Sequence, residues 1–247
     1  MSRTRILVLA ATVGVVALIA GALTPTADAA SSKPVVGQCR TTTADQASGL
    51  WDTHAPVPCS TLHRMKTFAV ENVPSSVDYV HVTVSQVVAM AEAICYPKFL
   101  TALGGTYADR HLTSYDWSYF IPTPAQRKAG ARWIRCDLDL FYLSSAGYTE
   151  FAALPNFSFP FVGGHTLTDK TRRCLAVADH DYWTTCSRTH VARADQTFVI
   201  HSTTYPQNAA AAAAASTACP GKRWTKPTPY QWKHNDHTLV CYTNTTS

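Results

Sequence analysis

The chain has 247 residues, 46% of them hydrophobic, with 21 basic against 16 acidic side chains and a formal charge of +5. That is enough apolar material for one or two packed domains. The charge is too mild for a nucleic-acid footprint, which needs Lys and Arg gathered on one face. The densest basic stretch, Arg127 to Arg135, holds four basic residues and reads as a solvated face.

Arg3 and Arg5 precede an unbroken apolar and small-residue run from Ile6 to Leu23, Thr24-Pro25 breaks it, and Ala27-Asp28-Ala29 supplies an A-x-A site. This pattern predicts an export signal over residues 1–29, cut after Ala29. Left uncut, the run is just long enough to anchor the chain in a membrane. Removing it takes away Arg3, Arg5 and Asp28, a net +1, and leaves a mature charge of about +4.

Val35 to Arg40 reads as a first strand and Thr41 to Pro58 as a polar loop containing Trp51, Asp52 and His54. Lys66 to Val73 is rich in β-branched and aromatic residues and predicts a strand. Ser85 to Leu103 carries apolar residues at helical spacing, with Ser85 as cap and Pro97 as a point of kinking. Gly104-Gly105 ends it, and Tyr107 to Phe120 carries no clear period. Thr123-Pro124 opens a short helix to Ala129. Trp133 to Tyr142 alternates, with Trp133, Arg135 and Asp137 on one face and Ile134, Cys136, Leu138 and Leu140 on the other. Pro155, Pro160 and Gly163-Gly164 mark residues 153–166 as a linker. Beyond it, Arg173 to Val177 is a strand, Ala178 to Tyr182 a turn, and Gln196 to His201 a strand. Asn208 to Ala218 follows as a helix of mostly alanine, and His237 to Tyr242 is the last strand.

The eight cysteines divide into Cys39, Cys59, Cys95, Cys136 and Cys174, Cys186, Cys219, Cys241. Cys59-Ser-Thr-Leu-His63 recurs as Cys186-Ser-Arg-Thr-His190. Pro122-Thr-Pro-Ala-Gln126 stands before Cys136 at the offset at which Pro227-Thr-Pro-Tyr-Gln231 stands before Cys241. The chain therefore reads as two copies of one unit, over residues 30–152 and 167–247. The expected fold class is α+β: two tandem disulfide-stapled domains, each a short antiparallel sheet packed with one or two helices. There is no C-x-x-C pair, which argues against zinc clustering and thiol redox catalysis. An even cysteine count behind an export signal predicts disulfides. Of the three connectivities open to four cysteines, first with second and third with fourth is the easiest: Cys39–Cys59, Cys95–Cys136, Cys174–Cys186 and Cys219–Cys241.

Val36-Gly37-Gln38-Cys39, Val57-Pro-Cys-Ser-Thr-Leu-His63 and Phe68-Ala69-Val70, followed by a cysteine in a helix, resemble the septum-formation domain family of actinobacterial secreted and membrane proteins. Pro122-Thr123-Pro124 with Gly130-Ala131-Arg132 and Cys136 continues the resemblance, as does Pro227-Thr-Pro-Tyr-Gln-Trp232 before Cys241. The second copy has Asn235 where the family has glycine, a residue that also tolerates a left-handed turn. Its first cysteine lacks the Val-Gly prefix, and the first copy lacks the family tryptophan, with Arg127 in its place. The resemblance implies an envelope location and a link to septation, and it brings no catalytic residues.

His63 and His190, each four residues after a cysteine, are the polar residues both copies keep. They are read as groups that order the turn beside the disulfide by bonding backbone or a carboxylate, rather than as bases or ligands. His111, Asp116, Asp109, His165, Asp169 and Asp181 are metal-ligand types without ligand spacing. Trp51, Trp117, Trp183, Trp224 and Trp232 fit turn anchoring or packing better than a glycan platform. No G-x-S-x-G or H-E-x-x-H is present. The sequence thus predicts a non-catalytic secreted envelope protein with no catalytic, cofactor or metal site. Its expected partner is an envelope protein or cell-wall polymer, not nucleic acid, and it meets the membrane only if residues 1–29 stay attached. A cell-wall hydrolase, or a carbohydrate- or peptidoglycan-binding module, is the alternative.

Overall fold

The computed structural model describes residues 33–143, 149–161, 167–177 and 182–245. The expected export signal, and most of the turn expected at Ala178 to Tyr182, lie outside them. No helix among the described residues is long and apolar enough to cross a membrane. Residues 33–247 gather into one compact unit.

The first half contains β1 (Cys39–Arg40), α1 (Ala44–Ala47), β2 (Met65–Asn72), α2 (Val84–Leu103), α3 (Tyr107–His111), β3 (Tyr115–Phe120), α4 (Pro124–Lys128), β4 (Trp133–Leu143) and β5 (Thr149–Phe151). The second contains β6 (Arg173–Leu175), β7 (Trp183–Thr185), β8 (Ala192–Val199), α5 (Asn208–Ala218), β9 (Arg223–Thr225), α6 (Pro229–Lys233) and β10 (Thr238–Asn244). Mixed helices and antiparallel sheets make the fold α+β, as expected.

The two sheets follow one plan. The first runs β1-β2-β4-β3, with an isolated bridge from Cys39 to Val57 on its outer side and β5 paired to β4. The second runs β7-β6-β8-β10-β9. Register agrees as well as order. Cys39 sits opposite Lys66, and Cys174 opposite Arg193. Cys136 sits between Ala69 and Tyr119, and Cys241 between Gln196 and Trp224. Each sheet has a bulge beside its last cysteine, at Phe68 in one and Asp195 in the other. The four disulfides are Cys39–Cys59, Cys95–Cys136, Cys174–Cys186 and Cys219–Cys241, with no free cysteine.

Helix starts are written locally. Thr43, Thr83, Thr106, Thr123 and Thr228 each cap a helix and complete a capping box with Gln46, Gln86, Asp109, Gln126 and Gln231. Thr83 therefore replaces Ser85 as the cap of α2, because Gln86 lies three residues from Thr83 and returns its side chain to the cap N–H. In addition, the first strand shrinks to Cys39–Arg40 and the loop after it holds α1, while α2 reaches Leu103 as expected, with Pro97 inside it. After α4 and α6 the chain turns through Gly130 at φ +95° and Asn235 at φ +59°, where the left-handed turn expected of Asn235 is seen.

The face of the first sheet bearing Phe68, Ile134, Cys136, Leu138 and Leu140 belongs to the core shared with α2. Leu154, Phe157, Phe159 and Phe161 of the expected linker also pack on that core, beside Ala152. On the opposite face of β4, Trp133, Arg135, Asp137 and Asp139 are all buried as well. The segment from Arg40 to His54 folds over it. Arg135 bridges Asp52 at 2.7 Å and Asp137 at 2.8 Å, and Thr67 donates to the other oxygen of Asp137 at 2.7 Å. Burial pushes the Asp52 carboxyl up, but Arg135 and the groups of His54 bring it below its ordinary value. The basic stretch Arg127 to Arg135 is accordingly not a solvated face. Arg127 donates to Pro122 O, and Arg132 to carbonyls of Val73, Pro74 and Val77.

Candidate functional site: the cleft between the sheets

The turn after α3 carries the junction of the two sheets. Thr113 bridges Arg172, Ser114 N–H donates to Thr171 O at 2.9 Å, and Ser114 Oγ donates to Thr184 O at 3.0 Å. Arg173 N–H donates to Leu112 O and its Nε to Thr113 O, both at 2.9 Å. Beside this junction lies a cleft of about 230 Å³. Its walls are Tyr96 of α2, Tyr107 of α3, Trp117 of β3, Trp183 of β7 and Tyr230 of α6. Tyr96 meets Tyr230 at 5.4 Å and His234 at 4.7 Å between ring centroids, and Tyr107 Oη donates to His234 O.

One pair clasps the two halves. Asp236, in the turn after α6, receives His111 Nε2–H at 2.7 Å, and both residues are buried. Asp236 also accepts the Thr238 N–H at 3.3 Å. Burial holds the His111 imidazole below its ordinary value, Arg173 and Arg110 add to that, and Asp236 opposes it. For Asp236 burial, the largest single influence, acts upward, and the bond and charge of His111 together with the bonds from Thr238 outweigh it, leaving the carboxyl below its usual range. The pair is thus a neutral imidazole donating to a carboxylate, which fixes orientation. Arg173 spreads its guanidinium over Trp183 at 4.1 Å, so this wall is cationic and aromatic at once.

Asp116 also lines the cleft, and through the sheet it faces Asp139 as its direct cross-strand partner. Burial raises Asp116, while the Trp117 N–H and Arg173 act against it. Asp139 is raised well above its usual value, first by burial and then by the charge of Asp116.

Of the residues singled out by sequence, His111, Asp116, Trp117 and Trp183 meet at this cleft. His63 and His190 do not. Each donates Nδ1–H to a carbonyl two residues back, His63 to Thr61 at 2.8 Å and His190 to Arg188 at 2.7 Å. His190 lies near the sulfurs of Cys174 and Cys186, which are bonded to each other and are not thiolate ligands. Asp109 completes the capping box of α3, and Asp169 pairs with Arg193. His165 and Asp181 lie outside the described residues. Trp224 and Trp232 pack on the core of the second sheet, with Trp232 stacked on His237, while Trp51 is exposed. The tryptophans therefore split between wall, core and surface and form no common platform among the described residues. Sequence reasoning missed Asp236, Asp139, Tyr96, Tyr230 and Arg173. Only Asp236 had a local signal, since it follows the left-handed Asn235.

A family model described as Septum formation matches residues 36–224, in one span that takes in residues of both sheets. The chain belongs to the Septum formation family. No curated protein and no solved structure matches it. Membership in the Septum formation family points to a septation-related role at the cell envelope, and the four disulfides point the same way, to an extracytoplasmic protein. The family is not a known enzyme family.

Proposed function

We propose that this is a non-catalytic, exported envelope protein that serves septation by binding. It is built as two tandem copies of one unit, residues 30–152 and 167–247 joined by 153–166, and released by cleavage after Ala29. The matching strand order, register and bulges of the two sheets support the duplication. The observation that carries the binding role is the aromatic cleft between the sheets, where Tyr96, Trp117, Trp183 and Tyr230 surround a few polar groups. Concave sites with apolar walls and sparse polar anchors bind rather than merely pack. The partner is an envelope protein or a cell-wall polymer.

The test is cosedimentation of the purified chain with isolated cell envelopes, followed by the same measurement on Trp117→Ala and Trp183→Ala. Binding by the parent and its loss in both variants, with all four disulfides retained by mass, is the expected result. Variants that bind as well as the parent would remove the cleft from the function. Release of soluble wall fragments during the incubation would overturn the non-catalytic reading.

A further inference from the structure

Most carboxylates buried on the polar face of β4 have a cationic partner. Asp137 receives Arg135 Nε and Thr67 Oγ1, and Asp52 receives Arg135 Nη2. Asp139, two residues beyond Asp137 on the same face, has no such partner. Its Oδ2 accepts from Ser118 Oγ at 2.7 Å. Its Oδ1 has no hydrogen-bond partner among the described residues, although Asp139 is only 1% exposed. Directly across the ladder stands a second acid, Asp116. Cross-strand partners hold their Cβ atoms about 4.5–5.5 Å apart, and like charges there repel. Arg173 acts on Asp116 electrostatically without forming an ion pair with it. Both acids line a second cleft, of about 340 Å³, together with Ser118, Trp117, Ala47 and Ser48.

Two cross-strand carboxylates lining one cleft, Asp116 half-buried and Asp139 buried with an unpartnered oxygen, need either a shared proton or a cation. The geometry points to a divalent-cation site in this cleft, held by the carboxylates of Asp116 and Asp139 and by Ser118 Oγ, with water completing the shell. Every donor is a hard oxygen, and nitrogen or sulfur donors are missing from the lining residues, so the ion is of the calcium class rather than zinc. The cleft has room for several waters at about 30 Å³ each. Two carboxylates in a water-filled site bind weakly, with a dissociation constant on the order of 10⁻⁴–10⁻³ M, the range of extracellular calcium modules. The site is separate from the cleft that carries the proposed binding role, although Asp116 and Trp117 touch both.

Terbium is the probe, because Trp117 lines the same cleft and sensitises its emission. The full chain with its disulfides intact is titrated with terbium, then with calcium as competitor, and its melting temperature is read with and without millimolar calcium. The expected result is saturable emission displaced by calcium, a rise in melting temperature, and affinity weakened more than about tenfold in D139N and in D116N. Trp117→Phe should lose emission but keep the calcium-dependent melting shift, which locates the ion beside that ring. D139N removes a buried charge without a partner and so retains the fold. Should it fail to fold, D116N, which is half-buried, decides alone. Absence of both emission and melting shift in the parent would show that the pair holds a proton instead. Binding by D116N and D139N as tight as the parent's would place the ion elsewhere. Either result overturns the proposal.

Discussion

Removing the Cys219–Cys241 bridge should undock α5, whereas removing the equivalent Cys95–Cys136 bridge should leave α2 in place. The helix α5 has 11 residues, no side-chain cap, and only Ala211, Ala215 and Ala218 buried. Helices shorter than about 12–15 residues are marginal in isolation even when rich in alanine. At about 0.8 kcal/mol per buried methyl-sized group, the alanines contribute about 2 kcal/mol to docking. By contrast, α2 buries Val87, Tyr96, Phe99 and Leu103 besides smaller residues, and starts from a complete capping box. At about 1.5–3 kcal/mol each, those four contribute about 8 kcal/mol. Loop entropy alone ranks the bridges the other way. A separation of 22 residues gives about 3.4 kcal/mol for Cys219–Cys241, and one of 41 gives about 3.9 kcal/mol for Cys95–Cys136. The assay is amide hydrogen exchange by mass spectrometry on Cys219→Ala/Cys241→Ala and on Cys95→Ala/Cys136→Ala. Amides of 211–218 should lose protection in the first variant while those of 87–103 keep it in the second. If 211–218 stays protected, or both helices open alike, packing does not rank these elements and the reasoning fails.

Asp236→Ala should cost about 2–3 kcal/mol in urea unfolding, since it strands a buried imidazole that lacks its charged acceptor; a cost under about 1 kcal/mol would mean the clasp is idle. The same clasp predicts loss of stability in acid. His111 has a folded value below 6.5, so the unfolded chain binds more protons under that pH and stability falls as pH drops through it. Asp236 has a folded value below 3.8, so its contribution is full above that pH and is lost as pH falls through the folded value. Arg110 and Arg173 face this imidazole, and Asp236→Asn should flatten the lower limb of a stability–pH curve. At the paired turns, Gly130→Ala should destabilise by about 1 kcal/mol and Asn235→Gly should be neutral or slightly stabilising, because both sites need positive φ. Exchanging His63 for Phe should lower the melting temperature without affecting envelope binding, since its ring is bonded to Thr61 O away from the cleft.

The local layer of this protein is written in short stretches of sequence. Threonine three residues before Gln or Asp starts five helices, and the alanine run makes a helix over the span expected, because capping and propensity act within a few residues. The order of the cysteines made first-with-second and third-with-fourth the easiest of the three connectivities, and the structure has that pairing. What the chain alone did not reveal is which polar residues lie inside. Arg135, Asp137 and Asp139 alternate as an outer face would, and burial came from the Arg40–His54 segment crossing over them, a contact made through Asp52. The cleft likewise needs both sheets. Asp236 stands 125 residues from His111, and Tyr230 from the second half closes on Tyr96 from the first. Periodicity reports the faces of single elements, and only packing decides which face of one meets which face of another.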